Sequence, residues 1–135
     1  MKMMEKIIHK KQLFALIIRG KKYRQKEGIN FFTKNSLPLQ VAYMNHKKNH
    51  VIKPHLHFRR LRKAYITSEV LIILKGVLKV DFYSRSKKYL KSKSLSKNDI
   101  IIFLNGGHGF FVKKKCNFIE VKQGPFLPSK DKVKF

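Results

Sequence analysis

The chain has 135 residues, 32 Lys and Arg against 7 Asp and Glu, a formal charge of +25, and one cysteine. That length suits one domain with a continuous core, and a single Cys excludes an internal disulfide or a four-cysteine zinc site. The longest wholly apolar run, Leu13 to Ile18, is far too short to span a bilayer.

In chain order the pattern is strand-like nearly throughout. The first ten residues could form one helical turn, and Glu5, His9, Lys10 and Lys11 interrupt any signal-peptide hydrophobic region. Gln12–Arg19 is a β-branched and aromatic run that ends at Gly20, and Asn30–Thr33 is a short apolar stretch. Leu37–Asn45 alternates with a period of two, the signature of a half-buried strand. Val51–Phe58 is a shorter extended piece, with Pro54 biasing Lys53 away from helix. Glu69–Lys75 is apolar on both faces, as a strand between layers would be, and Gly76 breaks it. Val77–Tyr83 alternates again, and Tyr89–Leu95 reads as a Lys/Ser-rich edge strand. The turn Asn98-Asp99 leads into Ile100–Leu104, and Asn105-Gly106-Gly107 leads into Gly109–Val112. Asn117–Lys122 follows Lys113–Lys115, and Gly124-Pro125 and Pro128 stop regular structure. Short strands separated by turn signals predict one all-β domain over residues 1–135, a sandwich or barrel. Residues 1–35 add strand-like segments that could cover a dimer interface. A soluble, cytoplasmic homodimer is the expectation.

The charge has two readings. Basicity this strong attracts polyanions. Yet 26 of the 32 cations are Lys, beside thirteen Ile and only three Ala, the bias of a genome poor in G and C. The basic residues look scattered rather than striped, and no aromatic-rich RNA-binding signature is present.

Three histidines and one carboxylate carry the chemistry. On a strand, His55 and His57 would share a face and could reach one metal ion; the plainer reading is two exposed imidazoles on an edge. Glu69 opens a run of apolar residues, where a carboxylate needs a cation or donors to hold it. His108 follows two glycines that allow a tight turn before the next strand. Three imidazoles and one carboxylate would make an octahedral site with open positions, suited to Fe, Mn, Ni, Co or Zn.

The string His55-x-His57, then Glu69-x6-Gly76, then Asn98-Asp99 and Gly106-Gly107-His108, resembles the two sequence motifs of the cupin superfamily. Eleven residues separate His57 from Glu69, a longer gap than that family usually has. The resemblance covers roughly residues 37–123. It implies a double-stranded β-helix, a jelly-roll barrel, with His55, His57, Glu69 and His108 as metal ligands. A metal-free barrel with satisfied core histidines is the alternative.

The insertion 58–68 carries half of the arginines, Arg59, Arg60 and Arg62, with Lys63 beside them. Arg forks suit carboxylate or phosphate recognition, so these residues are expected to clamp an anionic substrate, against the reading of a solvated basic loop. Gln123 could hydrogen-bond a ligand at the rim. Glu120, Tyr43 and Tyr83 are candidate acid–base groups, with an ion pair or simple packing as the plainer readings. His46 and His50 could support the site, with surface histidines as the plainer reading, and the three lysines before Cys116 could lower its thiol pKa, with a lone small residue at a strand start as the plainer account.

The resemblance implies a metal-dependent protein acting on a small anionic or sugar-like molecule, by isomerase- or epimerase-like or oxygenase chemistry. A loose likeness to small cupins of bacterial surface-polysaccharide and sugar-nucleotide metabolism suggests the sugar. A non-catalytic ligand-binding barrel, and a basic β-barrel binding nucleic acid, are the alternatives.

Overall fold

A computed structural model describes residues 2–22 and 27–135 of the chain. Their regular structure is eight β-strands and one 3-10 turn, so the fold is all-β. The chain divides into two compact units, residues 1–23 with 66–135, and residues 24–65.

The first unit is a six-stranded antiparallel sheet built on one long strand. Strands β1 (Met4–His9) and β2 (Gln12–Ile18) form a hairpin, and β2 continues onto β7 (Ile100–Phe103). β7 pairs with the first half of β5 (Glu69–Tyr83), and β6 (Tyr89–Ser96) pairs with its second half. β8 (Gly107–Lys122) runs along the other edge of β5 for its full length. Where β5 exchanges β7 for β6, the Lys97–Asp99 turn bridges the gap. Ile73 N–H donates to the Asp99 carbonyl at 3.0 Å, and Asn98 N–H to the Ile73 carbonyl at 2.8 Å.

The sheet curls at that point. Gly76 has φ +86°, a conformation that costs any other residue energy, and an added Cβ would run into the Lys115 carbonyl oxygen. The β5/β8 register shifts on either side of Gly76, the mark of a bulge. The ribbon therefore folds over on its own inner face. Phe110, opposite Val80, meets Phe118, opposite Ile73, with ring centroids 6.3 Å apart. Leu71, Ile73, Leu78, Val80 and Phe82 line that face with Ile7, Phe14, Ile17, Leu95, Ile101 and Phe103 as one buried cluster. Leu16, Ile18, Val70 and Ile102, on the opposite face, are buried as well.

Several expectations are corrected here. Residues 4–9 are a strand, not a helical turn. The separate strands expected on either side of Gly76 are one bulged strand, and Gly109–Val112 and Asn117–Lys122 are both parts of β8. Lysines 113–115 do not end it because their side chains lie in water while β5 holds the backbone.

In the second unit, β3 (Gly28–Phe31) pairs with β4 (Ala42–Asn45). Only residues 42–45 of the alternating 37–45 run form strand, because Gln40 turns the chain by donating its side-chain amide to the Lys34 and Leu37 carbonyls. Phe32 and Thr33 are buried. The expected extended piece 51–58 belongs to an irregular segment in which residues 47–65 are exposed without interruption.

Candidate functional site

Folding of the β5/β8 ribbon brings Glu69 to His108, although they sit toward opposite ends of β5 in register. Glu69 lies opposite Phe103 and Lys122, and His108 opposite Phe82. His108 Nε2 stands 3.0 Å from Glu69 Oε2, with both side chains largely shielded. The imidazole stacks on Phe103 at 4.0 Å between centroids and on Phe110 at 5.2 Å. Two aromatic faces thus fix its plane while its edge meets the carboxylate. The inner face of the sheet places Glu69 beside Leu71 and Ile73, as its alternation predicted.

The contact with His108 holds the Glu69 carboxyl below the usual carboxylate range, against the opposing effect of burial; His108, Lys122 and Lys132 add favourable charge. Gln123, the expected rim residue, accepts the Ser68 N–H at 2.9 Å and so fixes the backbone directly before Glu69. Lys122 reaches Asp131 at 3.4 Å and lies over the Phe126 ring at 5.4 Å. This end of the sheet is therefore a half-buried anionic and imidazole pair within a basic surround.

His55 and His57 belong to the second unit. Their rings make an edge contact at 5.4 Å between centroids, and His55 Nδ1 lies 2.9 Å from the Lys53 carbonyl. They lie on irregular backbone, so the strand expected to align them is absent. The four expected ligands thus form two pairs, one in each unit. Among the described residues no group of three or more His, Cys, Asp or Glu side chains gathers in a metal-holding cluster.

The remaining candidates are placed as follows. Arg59, Arg60 and Arg62 are exposed in the second unit. Tyr43 lies in β4, and Glu120 is exposed in β8, opposite Leu71. Tyr83 packs edge-on against Tyr89 and Phe135 rather than into the core cluster. His46 and His50 stack in parallel at 4.3 Å between centroids, and His46 Nε2 is buried without a hydrogen bond. Cys116 packs against the core, and burial pushes its thiol pKa up rather than the neighbouring lysines pulling it down, which fits the plainer account of a small packing residue.

A second polar cluster escaped sequence reasoning. Asp99 is 3 % exposed. It accepts Gly20 N–H at 2.9 Å, Ser96 N–H at 3.0 Å and Arg19 Nη1 at 3.0 Å. Arg19 also donates to Glu5 Oε1 at 2.7 Å and to the Ser94 carbonyl at 2.8 Å. Nothing local signals this network, because Arg19 and Asp99 lie 80 residues apart. No helix among the described residues is long and apolar enough to cross a membrane. Comparison with protein-family models, with characterised proteins and with solved structures gives no match.

Proposed function

We propose that the chain is a metal-dependent β-domain of the cupin type, a double-stranded β-helix, with Glu69 and His108 as two ligands of a divalent ion. A small anionic or sugar-like molecule binds beside that ion. The supporting observation is the 3.0 Å between His108 Nε2 and Glu69 Oε2. Two donors each about 2.1 Å from one ion and at right angles to each other are separated by about 3 Å. The same pair is a hydrogen bond when a proton takes the ion's place.

When bound, the ion would act as a Lewis acid toward a substrate carbonyl, or, as Fe(II), would bring oxygen chemistry. The protein's own groups do the rest. Phe103 and Phe110 hold the imidazole plane, and the His108 hydrogen bond first, with Lys122 and Lys132 adding favourable charge, holds the Glu69 carboxyl below its usual range. Those same lysines favour an anionic ligand at this end of the sheet.

The test is metal titration of the purified protein with Mn, Ni, Co and Zn, and anaerobically with Fe(II), beside Glu69→Gln and His108→Ala. Wild-type protein is expected to take up one ion, and each variant to lose at least about tenfold in affinity. A His55→Ala/His57→Ala variant decides whether those imidazoles also contribute donors. Equal metal affinity in wild type, Glu69→Gln and His108→Ala overturns the proposal.

A further inference from the structure

Residues 46–65 collect seven cations, Lys47, Lys48, Lys53, Arg59, Arg60, Arg62 and Lys63, with no acid among them. Only Lys47 has an ion-pair partner among the described residues, Glu27 at 3.2 Å. Large apolar side chains stand in water among and just after the cations: Leu56 is 79 % exposed, Phe58 85 %, Leu61 82 % and Tyr65 94 %. A composition-driven solvated surface accounts for the lysines but not for uncovered aromatic rings, which at this density mark a binding surface. The sequence reading of scattered charge is thus reversed for this segment.

We propose that segment 46–65 is an arm that binds single-stranded nucleic acid. It stands independently of the metal site. The Arg forks and lysines face phosphates, and Phe58 and Tyr65, on either side of the Arg59–Lys63 cluster, offer platforms on which unstacked bases lie. Arginine-rich extended segments that become ordered on binding are an established mode of RNA recognition. An anionic membrane offers the same charge, but this backbone has neither helical nor sheet hydrogen bonds. Entering an apolar layer would strand its amides and carbonyls, whereas nucleic acid leaves them in water.

The probes are fluorescein-labelled oligo-U and oligo-dT of about 12 nucleotides, within the usual site size of single-strand binders. Anisotropy is read across a salt series. Wild-type protein is expected to bind, with log K falling linearly in log salt concentration. Arg59→Ala/Arg60→Ala/Arg62→Ala is expected to make that slope shallower by about 2, at ~0.7 per phosphate. Phe58→Ala and Tyr65→Ala are each expected to weaken binding by roughly 5- to 150-fold. Lys113→Ala/Lys114→Ala/Lys115→Ala removes the same charge from β8 and is expected to leave the affinity nearly unchanged. All of these side chains are exposed, so an unaltered urea midpoint confirms the fold in each variant. Three results overturn the proposal: no binding at low salt, equal losses from the two triple variants, or arm-dependent binding to phosphatidylserine vesicles without binding to either oligonucleotide.

Discussion

Asp99→Ala is the sharpest test of how the curled sheet is held. The carboxylate is 3 % exposed and receives three donors, two of them backbone N–H groups at Gly20 and Ser96. Truncation orphans both amides at ~1–3 kcal/mol each and strips Arg19 of one of its two carboxylate partners. Glu5 and the Ser94 carbonyl still hold the guanidinium, which limits that last contribution. The expected loss is about 3–5 kcal/mol, the range for removing one partner of a buried pair. With a urea m-value of about 2 kcal/mol/M, the midpoint should fall by roughly 2 M. Asp99→Asn keeps one acceptor and should lose less, and an Arg19→Met/Asp99→Ala cycle should show coupling between the pair. A loss below about 0.5 kcal/mol for Asp99→Ala, the scatter of ordinary surface changes, would refute the argument that this carboxylate fastens the β6–β7 turn to the end of β2.

Three further outcomes follow from the geometry. The turn between β1 and β2 places Lys10 at φ 47° and Lys11 at φ 64°, the two-residue type I′ geometry that favours Asn-Gly; Lys10→Asn/Lys11→Gly should stabilise by about 1–2 kcal/mol in urea unfolding. Gly76→Ala should destabilise by more than ~2 kcal/mol and lower metal affinity, because it forces apart the bend that brings Glu69 to His108. The Glu5 and Glu69 carboxyls are depressed in the folded state, chiefly by Arg19 and His108 respectively. Their stabilisation is therefore fully present above the ordinary 4.5 and is lost as pH falls through the lower folded-state value, so acid unfolding should begin at higher pH in Glu5→Gln than in wild type.

What could be read in advance was the inward-facing alternation. β2 and β7 carry enough β-branched and aromatic residues to fix strand and face together, whereas β6 is Lys/Ser-rich and shows only the alternation of Leu95 with polar neighbours. The Glu69 and His108 candidacies rested on a carboxylate in an apolar run and on a glycine turn, and both signals are local. β1 was hidden because Ile7 is its one buried residue and its neighbours are charged or exposed. The unity of β8 was hidden because lysines in its middle look like a loop, yet an edge strand solvated on both faces needs only its hydrogen-bonded partner. Residues 37–41 show the opposite failure. Their period of two is sound, but Gln40 and Thr33 form a local hydrogen-bonded turn that competes with strand pairing. The Arg19–Asp99 pair depended on topology alone.

The distribution of acids gives the excess charge its meaning. The sequence has only seven carboxylates, and among the described residues six have a cationic or imidazole partner: Glu5 with Arg19 and Lys93, Asp81 with Lys79, Asp99 with Arg19, Asp131 with Lys122, Glu27 with Lys47, and Glu69 with the His108 imidazole. Five of those six lie in the unit built on the curled sheet, where acids hold strand ends and turns. In residues 24–65 the lone acid is Glu27. A base-composition bias would spread lysines over both units alike, and it accounts for β8. It does not account for three of six arginines within four residues, flanked by exposed rings and with no acid in the sequence between Glu27 and Glu69. Such a cluster repels itself in the free protein, so any polyanion that neutralises it should raise the protein's apparent stability at low salt, by an amount that shrinks as salt is added.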